Sequence, residues 1–156
     1  MQTLIVYYSR TGHTKKVAES LAKELQCDVE EIVDTVNRSG PLGFLNSGRQ
    51  ASSKALTKLQ PVTKDPSKYD LVIIGTPIWA KNMSSPVRTY ISENHAKFHN
   101  IAIFCTAGDR CEDSTFKDMG DLSGKKPKAT LAVYAAEIKK DSYADKIKKF
   151  VAEVKT

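Results

Sequence analysis

Three times along this chain a short apolar run stops at a hydroxyl side chain and turns. Leu4-Ile5-Val6-Tyr7-Tyr8 gives way to Ser9-Arg10-Thr11-Gly12-His13-Thr14, Leu71-Val72-Ile73-Ile74-Gly75 to Thr76-Pro77, and Ile101-Ala102-Ile103-Phe104-Cys105 to Thr106-Ala107-Gly108-Asp109. Apolar runs of this length bounded by turn residues read as strands buried on both faces, the pattern of a parallel sheet. Helical periodicity follows the first two. From Thr14 to Gln26, Val17, Leu21 and Leu25 share one face with Ala18 and Ala22, the i, i+4, i+8 spacing of an amphipathic helix. Ser85-Pro86 opens another, with Val87, Tyr90, Ile91 and Phe98 as its apolar face. A short helix is expected around Ser114 to Met119.

Val29, Ile32 and Val33, interrupted by Glu30 and Glu31, predict a second strand near a sheet edge. The run from Asp34 to Lys68 reads as a loop through Gly48 and then a helix with Ala51, Ala55, Leu56 and Leu59 on one face. Ala129 to Ala135 closes the sheet, and a helix carrying Tyr143, Ile147, Phe150, Val151 and Val154 ends the chain. Strands alternating with helices, joined by right-handed crossovers, make a doubly wound α/β sandwich. At 156 residues the expectation is one domain over 1–156. Ligands in such folds bind beyond the carboxyl ends of the strands, where strand order reverses. Loops 9–14, 76–82 and 106–111 fall there.

The first loop has the chemistry of an anion cradle. Backbone amides in the first turn of a helix lack intrahelical partners, and the helix dipole adds positive potential at the same point. Lys15 and Lys16 strengthen that reading, because cations in a first turn oppose the dipole unless a bound anion offsets them. Three cysteines, Cys27, Cys105 and Cys111, in no C-x-x-C pattern, predict free thiols in a reducing compartment. With no leader-like start, the cytoplasm is the expected location. No apolar run approaches the roughly 20 residues of a membrane span. The net charge is +6, and many of the lysines, from Lys125 to Lys155, fall in the last third of the chain, most of them on a helix whose basic face is expected to be solvated. No zinc-finger spacing or basic-aromatic interleaving points to nucleic acid. The acidic cluster of a phospho-receiver, the Cys-x5-Arg loop of a small phosphatase, the P-loop and the Gly-x-Gly-x-x-Gly fingerprint are all absent from the expected places.

The run Ser9-Arg10-Thr11-Gly12-His13-Thr14 resembles the Thr/Ser-x-Thr-Gly-x-Thr phosphate loop of the flavodoxin-like family. Gly75-Thr76-Pro77-Ile78-Trp79-Ala80 is similar to its first flavin-ring loop, and Cys105-Thr106-Ala107-Gly108-Asp109 stands where its second would be. The resemblance implies a five-stranded parallel sheet in the order 2-1-3-4-5 and FMN as cofactor. It implies that Ser9, Thr11, Gly12 and Thr14 hold the phosphate, with Arg10 and His13 in the same loop. Thr76, Pro77, Ile78, Trp79 and Ala80 would then flank the ring, Trp79 by stacking or edge contact, and the amides of Thr106, Ala107, Gly108 and Asp109 would meet its carbonyls. The third loop continues Arg110-Cys111-Glu112-Asp113-Ser114 without the second aromatic common in the family, so one ring face is expected to be open. Lys81 and Arg110, beside the ring loops, are expected to favour the reduced, anionic flavin. The implied function is electron transfer to or from a redox protein partner, of acidic surface given the basic chain. The alternative is an FMN-dependent reductase of small acceptors such as quinones, including a protoporphyrinogen-oxidising type. The lack of a nicotinamide site and of a proton-transfer residue favours the carrier, and no metal is expected.

Overall fold

The computed structural model describes residues 1–111 and 113–156, so Glu112 of the third loop lies outside the described residues. Five parallel strands form the sheet: β1 (Thr3–Tyr7), β2 (Asp28–Glu31), β3 (Leu71–Trp79), then β5 (Ile101–Ala107) and β6 (Thr130–Tyr134). They lie in the order β2-β1-β3-β5-β6, with the two-residue β4 (Asn82–Met83) paired to β3 outside this path. Setting β4 aside, this is the expected 2-1-3-4-5. Leaving β1, the chain goes to β2 on one side and then returns to β3 on the other. The reversal opens a crevice between the carboxyl ends of β1 and β3, and the three loops of interest border it.

Alternate strand residues serve two cores because both faces of the sheet are covered. On one side Ile5, Ile73, Phe104 and Val133 meet Val17 and Leu21 of α1 (His13–Leu25) and Ile147, Phe150 and Val154 of α6 (Ala144–Lys155). On the other, Leu4, Val6, Ile74 and Ile103 meet Val87, Tyr90 and Ile91 of α3 (Ser85–Asn94) and Met119 of α4 (Asp113–Ser123). Each fully buried aliphatic side chain contributes on the order of 1.5–3 kcal/mol of transfer free energy. No helix among the described residues is long and apolar enough to cross a membrane.

Gly75 shows how tightly β3 is seated. A Cβ built there would lie 2.1 Å from the Phe104 ring of neighbouring β5. Overpacking of this kind costs about 1–3 kcal/mol. Gly75→Ala is therefore expected to lower the urea midpoint with an unchanged slope, and Phe104→Leu in that background to recover part of the loss. An unaltered midpoint in Gly75→Ala would contradict this packing.

The middle of the chain departs from expectation. α2 spans Gly40–Ser52, beginning behind Ser39 with Pro41 in its first turn and ending before Lys54, whose φ is 56°. Ala55, Leu56 and Leu59 lie beyond it, and Leu59 makes an isolated antiparallel bridge with Asp34. Gly43, which reads as a helix breaker, is a point of close approach: a Cβ there would stand 2.3 Å from the Arg38 carbonyl carbon. Glycine inside a helix is tolerated where another backbone must come this near. β2 lies at the edge as expected but ends at Glu31, ahead of Ile32 and Val33.

The segment read as the loop 76–82 is largely a hairpin. β3 runs on to Trp79 and returns through β4, pairing Ile78 with Met83 and Trp79 with Asn82. Ala80 and Lys81 make the turn with φ of 47° and 66°. Two consecutive left-handed residues are the requirement of a type I′ turn, usually met by Asn-Gly. Ala-Lys carries no such signal. At the carboxyl end of the chain a short α5 (Ala135–Lys140) precedes α6, separated from it at Asp141 with φ 53°.

Candidate functional site

The first loop joins β1 to α1 with Gly12 at the N-cap, φ 102°, a conformation costly for a residue with a Cβ. The Gly12 amide donates to Ser9 Oγ at 3.1 Å. The N-cap offers no side chain to the first turn of α1, and no acidic residue sits in that turn. Its orphan amides therefore keep their capacity for an external acceptor. Beside them is a cavity lined by Ser9, Arg10, Thr11, His13 and Thr14, by Pro77, Ile78 and Trp79 of the β3–β4 hairpin, and by Thr106, Ala107 and Gly108 from the end of β5. Eleven of the fifteen residues singled out from the sequence thus converge from three distant segments.

The other four stand around the lining. Gly12 shapes the turn. Thr76 is buried behind it, its hydroxyl donating to the Pro77 carbonyl at 2.8 Å and accepting from the Ser84 amide at 3.0 Å. Ala80 is in the exposed hairpin turn, beside Lys81, and Asp109 is exposed on the third loop. Thr14 and Thr106 are both buried, and their hydroxyls share a hydrogen bond of 2.8 Å that ties the first loop to the third.

Lys16 corrects one inference from the sequence. Its ammonium donates to the Ile138 carbonyl at 3.2 Å and lies 3.8 Å from Asp141. The Ile138 carbonyl and the Asp141 carboxylate, at the end of α5, stabilise this charge, so it does not require an anion at the cradle. Lys15 is exposed and does not line the cavity. Arg10 does line it, and among the described residues His13 is the only other lining side chain that can carry positive charge. An anionic group is the natural complement of uncapped amides and a guanidinium.

Trp79 is held in a fixed attitude. The Tyr8 ring meets it edge-on, 5.5 Å between centroids at 87°, and Arg38 places its guanidinium carbon 5.2 Å from the indole centroid. Arg38 itself is buried, paired with Asp34 and bonded to Ser47 and Gln50 of α2. Burial pushes the Tyr8 phenol above its ordinary value, with the charge of Arg38 the largest influence opposing it. Next to the cradle is therefore an aromatic, mostly apolar slot: a shape for a flat conjugated ring joined to a phosphate.

Two lining residues have no precedent in the sequence reading, Phe44 and Ala135. Phe44 lies on α2, in a stretch read as loop, so its helical placement beside the cavity had no local signal. The cysteines also need correction. Cys105 and Cys111 are joined as a disulfide across the third loop, with Cα atoms 7.3 Å apart, leaving Cys27 free. The six-residue spacing resembles no redox motif; the pairing arises because the loop folds back on the end of β5. Burial pushes the Cys27 thiol up to about 11, the behaviour of an unreactive structural cysteine.

The chain matches the family described as Flavodoxin over residues 2–153. A flavoprotein from Lactobacillus acidophilus, solved in complex with FMN, is 22% identical, superposes with a TM-score of 0.74, and is matched over 89% of this chain and 97% of its own. A protein of Bacteroides uniformis is 21% identical with a TM-score of 0.80, over 97% of both chains. The two-electron reduced flavodoxin of Megasphaera elsdenii is 18% identical with a TM-score of 0.60, over 98% and 99%. These solved structures share the fold. With the sheet order, the helix-terminal cradle and a family match over nearly the whole length, the chain belongs to the flavodoxin family.

Proposed function

We propose that the cavity binds FMN and that the protein is an electron carrier, exchanging electrons with a redox protein partner. The observation that carries this reading is the convergence of uncapped first-turn amides and Trp79 on one cavity whose described lining contains no carboxylate. The phosphate is received by the amides of α1 with Ser9, Thr11 and Arg10. Trp79, Pro77 and Ile78 flank the ring, and the third loop presents backbone from Thr106 to Gly108. Bound FMN supplies reversible one- and two-electron chemistry. The residues around it bind, orient and exclude water. Electron transfer needs no general acid or base, which suits this lining. The net charge of +6 favours an acidic partner surface, and the cytoplasm is the proposed location.

The test is a visible spectrum of purified protein after FMN is added and excess removed, followed by stepwise anaerobic reduction. Retained flavin bands and accumulation of a one-electron reduced form support the carrier. Retained flavin that passes straight to the two-electron form, with steady NAD(P)H-dependent turnover of a quinone, would replace it with the reductase reading. Loss of all flavin on desalting, with no tight binding by titration, would overturn FMN as the ligand.

A further inference from the structure

We propose that Phe44 supplies a second aromatic surface to the flavin ring, in the role the third loop does not fill, and that Arg10 fixes it there. The inference rests on the FMN reading. Between Ala107 and Cys111 the third loop carries no aromatic residue. Phe44 nonetheless lines the same cavity as Trp79, although it arrives from α2. Its side chain is left 64% exposed, a large apolar surface that a ring bound beside it would remove from water.

The placement is set by the phosphate loop. Arg10 donates from Nε to the Arg38 carbonyl at 2.8 Å and from Nη2 to the Gly40 carbonyl at 3.1 Å. These bonds tie the start of α2 to the first loop. The Arg10 guanidinium carbon then lies 5.5 Å from the Phe44 centroid, within cation–π reach. The close approach of Gly43 to the Arg38 backbone fixes the helix at the same turn. Leu42 and Leu45, at least as exposed on α2, do not line the cavity. Exposure of apolar side chains along this helix therefore does not by itself place one at the site, and these two leucines serve as controls.

The experiment measures FMN, riboflavin and inorganic phosphate affinities of the full chain by titration, with flavin fluorescence lifetime as a second readout. Phe44→Ala is expected to raise the Kd of FMN and of riboflavin by the same factor, about 2- to 12-fold, and to leave phosphate binding unchanged, because Phe44 meets the ring and not the anion. Leu42→Ala and Leu45→Ala should match the wild type. Phe44→Trp should hold the affinity and shorten the lifetime of bound flavin, since a stacked indole quenches more strongly than benzene; this readout does not depend on the alanine variant folding. Wild-type protein that binds FMN with Phe44→Ala indistinguishable from it, or Phe44→Trp with an unaltered lifetime, overturns the role of Phe44 alone. Wild-type protein that binds no FMN overturns the cofactor reading and this inference with it.

Discussion

Asp34→Ala is expected to lower folding stability by about 3–5 kcal/mol, the cost of stranding a buried charge. The Arg38 and Asp34 side chains are 1% and 3% exposed. Arg38 Nε donates to Asp34 Oδ2, while Oδ1 accepts from the Val36 amide at 3.0 Å and from Thr57 Oγ1 at 2.8 Å. The other guanidinium nitrogens donate to Ser47 at 3.2 Å and Gln50 at 2.6 Å, both neutral. Truncating the carboxylate leaves the positive charge out of water with hydroxyl and amide partners only, and also frees the Thr57 and Val36 donors. Asp34→Asn keeps acceptor capacity and should cost less. Removing both charges with Asp34→Ala and Arg38→Met should cost less than the sum of the two single changes, because the stranded charge disappears. Urea unfolding checks all four variants, and a loss below about 1 kcal/mol in Asp34→Ala would show that this pair does not hold α2 to the site.

Trp79→Ala is expected to raise the FMN Kd by about 5- to 150-fold, the scale of ~1–3 kcal/mol for removing an aromatic platform from a stacked heterocycle. The indole is pre-positioned before any ligand arrives. Tyr8 meets it edge-on, Arg38 lies near its centroid, and the hairpin pairing with Asn82 fixes its backbone. Little rotamer entropy is then lost on binding, so its contact area converts efficiently to affinity. Trp79→Phe should recover most of the loss. A fluorescence titration in which Trp79→Ala binds as tightly as wild type would show that the ring does not lie along this residue. The two predictions also connect, since Asp34→Ala frees the guanidinium beside Trp79. A weakened FMN affinity in Asp34→Ala under conditions where it stays folded would show that the buried pair orients the indole.

The parts of the fold legible in the sequence are those whose signal is local. Leu71 to Ile74 is apolar at every position because both faces of β3 are covered, and Val17, Leu21 and Leu25 repeat at helical spacing because α1 has one buried side. The turns were less legible. Ala80 and Lys81 adopt left-handed backbone with side chains that give no hint of it, and the requirement comes from the β3–β4 pairing. Gly43 and Gly48 look like breakers in a linear reading. The way the chain enters α2, with the Arg38 carbonyl group against position 43, makes glycine the residue that fits there. Asp34 and Arg38, in a stretch that reads as polar loop, are buried because they satisfy each other and bond to groups of α2 and of Thr57.

The candidate site divides along the same line. The sequence by itself determined the cradle, since a strand, a Ser-x-Thr-Gly turn and a helix start place unpaired amides together by backbone geometry alone. It also determined that the loops after β1, β3 and β5 share one end of the sheet, because parallel strands joined by right-handed crossovers leave no other arrangement. Only the tertiary structure decided where the charges and rings around that cradle go. It turned Lys16 toward the end of α5, bonded Thr14 to Thr106, closed Cys105 onto Cys111 and brought Phe44 to the cavity. The cysteine pair depends on how the third loop folds back on itself; the other three depend on contacts between segments far apart in sequence that become neighbours only in the packed fold, and no local propensity encodes such a contact.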